Sequence, residues 1–181
     1  MKSYDLSNVS VLIVEQHPQM RTLLRQIMRQ FGVANTFDAY DPEAAFDRFI
    51  DTSPDIVFID WTPDFDGLKL TGRIRAGEKS ANPWTSIILC TAYTERHHII
   101  VARDAGVTEF LAKPVSAKSI YNRIVSVIDD PRAFVRADTF SGPDRRRKEN
   151  PHRGDERRKD WQPMNENAEK EKKTGKLANP P

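Results

Sequence analysis

The chain has 181 residues, 28 Lys/Arg against 26 Asp/Glu, and a formal net charge of +2. That length holds one ordinary domain with some chain left over, and ~125 residues can bury a core without disulfides or a structural metal. A single cysteine, Cys90, excludes an internal disulfide, and no run approaches the ~18 apolar residues of a membrane-spanning helix.

Charge and apolar content both divide the chain. Up to residue 130 there are 14 Lys/Arg against 17 Asp/Glu, and from Pro131 onward 14 against 9. An acidic globule joined to a basic tail suggests an anionic partner for the tail. From Asp138 to Pro181 the hydrophobic residues are only Phe140, Trp161, Met164, Ala168, Leu177 and Ala178. So little apolar surface does not offset the entropy of ordering the segment, which predicts a largely disordered tail over 131–181. No basic-then-apolar leader opens the chain, and the expectation is a cytoplasmic protein.

The elements alternate. Val9–Val14 (VSVLIV) reads as a strand buried on both faces. Pro18 suits the first position of a helix, with His17 a poor cap, and Met20, Leu23, Leu24, Ile27, Met28 and Phe31 form its apolar stripe up to Gly32. A weaker strand covers 34–39. Asp41-Pro42-Glu43 is a strong helix start, and Ala45, Phe46, Phe49 and Ile50 supply the buried side. After Pro54, residues 55–60 (DIVFID) form a third strand. A helix over 67–75 carries Leu68, Leu70 and Ile74. A strand over 86–90, a helix over 95–105, a strand over 108–112 and a helix capped by Ser116 complete the series, the last burying Ile120, Ile124, Val127 and Ile128. Cys90 lies in an apolar run, as a buried inert thiol would.

Five strands alternating with five helices predict an α/β domain over 7–130. Its parallel sheet has helices on both faces and the flavodoxin-like order 2-1-3-4-5. In such sheets the functional crevice lies outside the carboxyl ends of the strands. Those ends deliver Glu15 and Gln16, then Asp60, then Thr91 and Ala92, then Lys113 and Pro114. Asp60 can act as a nucleophile toward a phosphoryl group. Such transfer needs positioning and charge neutralisation, which Lys113, the Thr91 hydroxyl and the Ala92 N–H can supply. A conventional metabolic enzyme is not expected: no glycine-rich phosphate loop follows the first strand, and no catalytic triad is evident.

Val14-Glu15-Gln16, Asp60 with Asp66-Gly67, Thr91-Ala92, and Lys113-Pro114 after Phe110 occur in this order at strand ends. Together they resemble the receiver domain of two-component response regulators of the chemotaxis, CheY-like type. The resemblance implies phosphorylation of Asp60 by a histidine kinase or phosphotransfer protein. It implies Mg²⁺ held among Glu15, Asp60 and the Thr62 carbonyl, with Gln16 a weak contributor, and a cis Lys113–Pro114 bond. It also implies a switch through Thr91 and Phe110 that alters the face of the fourth helix, fifth strand and fifth helix toward a protein target. Two departures stand out. Gln16 replaces the second of two adjacent acids, lowering the negative charge at the metal, although the longer Glu15 can reach further in. The loop Asp60-Trp61-Thr62-Pro63-Asp64-Phe65-Asp66-Gly67 is one residue shorter than the family pattern.

No DNA-binding output module is expected, because residues 131–181 lack its apolar periodicity; Arg132–Ala137 can form a short extended segment laid on the domain. Gly142-Pro143-Asp144-Arg145-Arg146-Arg147 is echoed by Gly154-Asp155-Glu156-Arg157-Arg158-Lys159. Arginine forks bind phosphates and guanine edges bidentately. This tail is similar to that of the Cle subfamily, CheY-like proteins that bind cyclic di-GMP and act at the flagellar motor. The similarity implies Arg145, Arg146, Arg157 and Arg158 as a clamp, with Asp144 and Asp155 accepting from guanine. A solubilising tail, or one that binds nucleic acid or an acidic protein surface, is the alternative. The chain thus reads as a stand-alone phosphorelay receiver, as a receiver-shaped effector driven by a tail ligand, or as an adaptor that needs neither input.

Overall fold

The computed structural model describes residues 4–62, 65–137 and 140–144. Its elements run β1 (Ser10–Val14), α1 (Pro18–Gln30), β2 (Asn35–Ala39), α2 (Pro42–Thr52), β3 (Ile56–Asp60), α3 (Gly67–Ala76), β4 (Ser86–Thr91), α4 (Arg96–Asp104), β5 (Glu109–Ala112) and α5 (Ala117–Asp129). A hairpin of β6 (Phe134–Ala137) and β7 (Phe140–Pro143) follows. The main sheet is parallel in the order β2-β1-β3-β4-β5, as expected from the sequence.

Alternation along β1 explains why two faces are covered. Val11 and Ile13 join the cluster that α1 and α5 complete with Leu24, Ile27, Met28, Ile120, Ile124 and Val127. Leu12 and Val14 point the other way, into a cluster with Phe46 and Phe49 of α2, Leu70 and Ile74 of α3 and Ala102 of α4. Within the α1 stripe, Leu23 is exposed rather than buried, because the contact with the sheet is narrower than the apolar arc.

Local signals set the helix starts. Asp41 accepts from the Glu43 and Ala44 N–H groups at 2.9 and 2.8 Å, and Asp66 accepts from Lys69 N–H at 3.0 Å. Ser116 and Ser119 form a reciprocal capping box at α5. Each satisfies N–H groups that the first helical turn leaves without partners.

β6 is the extended segment expected over 132–137, and β7 is the part of the hairpin that the sequence reading did not foresee. The folded body continues past residue 130, and residues 140–144 belong to it rather than to a disordered tail. Composition averaged over a long window hides the reason, which lies in specific contacts at the amino end of the sheet. Arg132 donates to Glu109 Oε1 at 2.8 Å, and the Arg75 guanidinium lies 5.0 Å from the centre of the Phe134 ring. Gly106, at φ +96°, lets β7 pack closely: a Cβ there would sit 2.9 Å from both the Ser141 carbonyl oxygen and Arg75 Cγ.

Candidate functional site

The carboxyl ends of β1, β3 and β5 bring together Glu15, Asp60 and Lys113. Both acids are almost fully buried, Glu15 at 1% and Asp60 at 2% exposure. Lys113 Nζ donates to Glu15 Oε2 at 2.9 Å and to Asp60 Oδ1 at 2.8 Å. The lysine therefore uses one oxygen of each carboxylate and leaves the other. Glu15 Oε1 accepts from the His17 backbone N–H and lies 2.9 Å from His17 Nδ1. Asp60 Oδ2 is buried and has no hydrogen-bond partner among the described residues, and the same holds for Thr62 Oγ1. Buried polar atoms are normally paired, so an unpaired carboxylate oxygen marks a place where a ligand would be stabilised.

The charges pull against one another. Burial, aided by the neighbouring Glu15, raises the Asp60 pKa above the usual aspartate value despite the opposing pull of Lys113. For Glu15 the upward push of burial is outweighed by the hydrogen bonds from His17 and Lys113, and its pKa is lowered. Burial disfavours the Lys113 cation, but the two carboxylates more than compensate and raise its pKa. Burial also pushes the Cys90 thiol up to about 12, as suits an inert core cysteine.

The surrounding residues fall into place around this centre. The Lys113–Pro114 bond is cis, and Lys113 N–H donates to the Thr91 carbonyl at 2.9 Å, which aims the lysine inward. The Thr91 hydroxyl donates to the Trp61 carbonyl at 3.0 Å and accepts from Tyr93 N–H at 3.0 Å, so it is engaged away from Asp60. Ala92 is exposed beside it, and Phe110 is half-buried at the edge of the core. Gly67 has a steric role: a Cβ there would meet the Asp60 carbonyl oxygen at 2.3 Å and Ile59 Cγ2 at 2.6 Å. Glycine after the loop lets α3 begin directly against the end of β3.

Two sequence expectations need adjustment. The Thr62 carbonyl, expected to face a metal, accepts Phe65 N–H at 3.1 Å. The short loop closes on itself at the Thr62–Phe65 bridge and so turns this carbonyl to its own use. Gln16 is half-buried, and its backbone carbonyl, like that of Glu15, accepts from Arg21 Nη1, at 3.0 and 2.7 Å respectively. Sequence reasoning treated His17 only as a helix cap. The ring makes no cap bond and turns back to Glu15; its place two residues after the strand-end Glu15 was the available signal. The ring cluster of Trp61, Tyr93 and His98 beside Asp60, with centroids 5.2 to 6.0 Å apart, also went unread.

In the tail, Asp144 N–H donates to the Ala133 carbonyl at 2.7 Å. Arg145, Arg146, Asp155, Arg157 and Arg158 lie outside the described residues, as does Asp64.

A divalent cation suits the centre: two carboxylates face one lysine, each with an oxygen the lysine leaves free, and one of these has no partner.

The chain is similar to known proteins. Chemotaxis protein CheY-3 of Vibrio cholerae is 29% identical over 123 residues, covering 67% of this chain and 93% of that protein. Chemotaxis protein CheY of Pseudomonas aeruginosa is 28% identical over 122 residues, covering 67% and 97%. Among solved structures, Vibrio cholerae CheY4 shares the fold with a TM-score of 0.60 at 19% identity, covering 66% of this chain and 98% of its own. The response regulator receiver domain family matches residues 11–125, and the chain belongs to that family, with the CheY-like fold and the phosphorelay signalling it implies.

Proposed function

We propose that Asp60 is the phosphoacceptor of a stand-alone receiver that signals by protein contact. The observation that carries this reading is the unpartnered, buried Oδ2 of Asp60 beside Lys113. An Asp60 oxygen attacks the phosphorus of a phosphohistidine; the new O–P bond forms as the N–P bond breaks, and the imidazole leaves with its electron pair. Lys113 stays protonated, held by two carboxylates, and neutralises charge on the transferred group. Mg²⁺, held by Glu15 and Asp60, would supply further neutralisation of the phosphoryl oxygens. Thr91 must exchange its bond to the Trp61 carbonyl for one to the phosphate, which frees the loop before α4. That helix carries Ile99, Ile100 and Val101 at 39%, 37% and 53% exposure, an apolar strip suited to a protein partner. Phe110 has no hydroxyl to desolvate and turns inward at little cost.

Borohydride reduction of the acyl phosphate tests the assignment. After incubation with acetyl phosphate and Mg²⁺, the tryptic peptide should contain homoserine at position 60. Homoserine at another acid, or none, would refute it.

A second reading is favoured by the approximate duplication of a Gly-(x)-acid-Arg-Arg unit, whose first copy begins within β7 at Gly142. In it, cyclic di-GMP binds the tail through Arg145, Arg146, Arg157 and Arg158, with Asp144 and Asp155 accepting from guanine, and the complex acts on the flagellar motor or another partner. Calorimetric binding that is lost when the four arginines become alanine, and is absent for GMP, supports it. Binding that survives those changes rules it out.

A further inference from the structure

We propose that His17 is a nitrogen ligand of this centre and makes it select a borderline divalent transition-metal ion over Mg²⁺. This rests on the phosphoacceptor reading of the same site. Glu15, His17 and Asp60 each place one ligand atom so that the three lie within 4.8 Å of one another. His17 Nδ1 and Glu15 Oε1 are 2.9 Å apart, about the separation of adjacent octahedral ligands on an ion with bonds of about 2.1 Å. Lys113 occupies Glu15 Oε2 and Asp60 Oδ1, so an ion would take the unpartnered Asp60 Oδ2 and the lone pair of Glu15 Oε1 that does not accept from the His17 backbone N–H.

The other oxygen donors nearby are neutral, and each of their backbone carbonyls already accepts a hydrogen bond. Gln16 is neutral, its backbone carbonyl and that of Glu15 accept from Arg21, and the Thr62 carbonyl accepts from Phe65. Mg²⁺ demands a near-octahedral set of oxygens and gains nothing from an imidazole, whereas ions toward the zinc end of the first row bind nitrogen strongly. Two carboxylates plus one imidazole therefore form a donor set better matched to Zn²⁺, Co²⁺ or Ni²⁺ than to Mg²⁺. His17 is 63% exposed through its side chain, so the ring can turn without disturbing the core.

The test uses the full chain, titrated calorimetrically with Zn²⁺ and separately with Mg²⁺. The ¹⁵N shifts of the histidine rings are recorded on the same samples. The wild type should bind Zn²⁺ roughly tenfold or more tightly than Mg²⁺, with the His17 ring nitrogen shifted. His17→Phe should weaken Zn²⁺ binding roughly tenfold or more and Mg²⁺ binding far less, and Asp60→Asn should weaken both. Equal Zn²⁺ affinity in wild type and His17→Phe, or an unshifted His17 ring in the Zn²⁺-loaded protein, overturns the inference. If that result comes with Mg²⁺-dependent homoserine at position 60, the phosphoacceptor reading stands without it. If neither ion binds and no acyl phosphate forms, both fall.

Discussion

The molecule buries charge at both ends of one sheet, and the two ends are finished differently. At the amino end, the Arg75 guanidinium is enclosed by neutral acceptors. It donates to the carbonyls of Gly106, Pro83 and Thr85 at 2.8, 2.5 and 2.8 Å and to the Thr108 hydroxyl at 3.2 Å. Burial pulls its pKa down to about 9, and it remains a cation at neutral pH. At the carboxyl end, two carboxylates share one lysine, and an Asp60 oxygen has no partner among the described residues. A buried charge whose every nitrogen is hydrogen-bonded ties elements together; one with an unpartnered oxygen offers a place for a ligand. Arg75 joins α3, the loop before β4, the loop before β5 and the hairpin, whereas Asp60 keeps a buried oxygen without a partner among the described residues, the feature on which the phosphoacceptor proposal rests.

Substitutions can break that contrast. The largest stability effect belongs to Arg75. Arg75→Leu strands the carbonyls of Gly106, Pro83 and Thr85, and should cost about 3–5 kcal/mol in denaturant unfolding. Arg75→Lys should recover only part of that, since a point charge cannot span the same acceptors.

Lys113→Met comes next, at about 2–4 kcal/mol near neutral pH, because it leaves Glu15 and Asp60 facing each other without a cation. Acidification should narrow the gap to wild type as the carboxylates take up protons.

Asp60→Asn should act in the opposite direction. The raised Asp60 pKa means that the folded state holds this proton more tightly than the unfolded state does. Its stabilising contribution is present below the ordinary aspartate value and is lost as pH rises through the folded pKa. At neutral pH the variant should be more stable than wild type by about 1 kcal/mol, read as a higher unfolding midpoint, and the difference should close in acid. Glu15 has the reverse sign: its lowered pKa gives stability that is present above the ordinary glutamate value and lost as pH falls through the folded one.

The smallest effect is Arg132→Ala, about 1 kcal/mol or less, since the bond from Arg132 to Glu109 is partly exposed and Arg123 also reaches Glu109, at 3.4 Å.

The two ends also differ in what their residues disclose in the sequence. Asp60, Thr91 and Lys113 were legible because each ends or follows a short apolar strand, and strand ends in a parallel sheet converge on one crevice. The helix starts were legible because capping is a local interaction between neighbours in sequence. Arg75 was not. It looks like a solvated charge in the last turn of a helix, and its acceptors come from residues 8, 10, 31 and 33 positions further along the chain. The hairpin escaped for a related reason: apolar residues are few, but Phe134 lies against the Arg75 guanidinium and Gly106 lets β7 pack closely. His17 depends on a rotamer, which spacing does not specify; the short loop at Thr62 was visible in the spacing, but the bridge to Phe65 that engages its carbonyl was not.

Intact mass spectrometry tests the central claim most directly. Wild type and Asp60→Asn are incubated with acetyl phosphate, with and without a divalent cation. The account predicts an adduct of about 80 Da, one phosphoryl group, that requires the cation and is absent from Asp60→Asn. An adduct that persists in Asp60→Asn, or none on folded wild type with either Mg²⁺ or Zn²⁺, would contradict it.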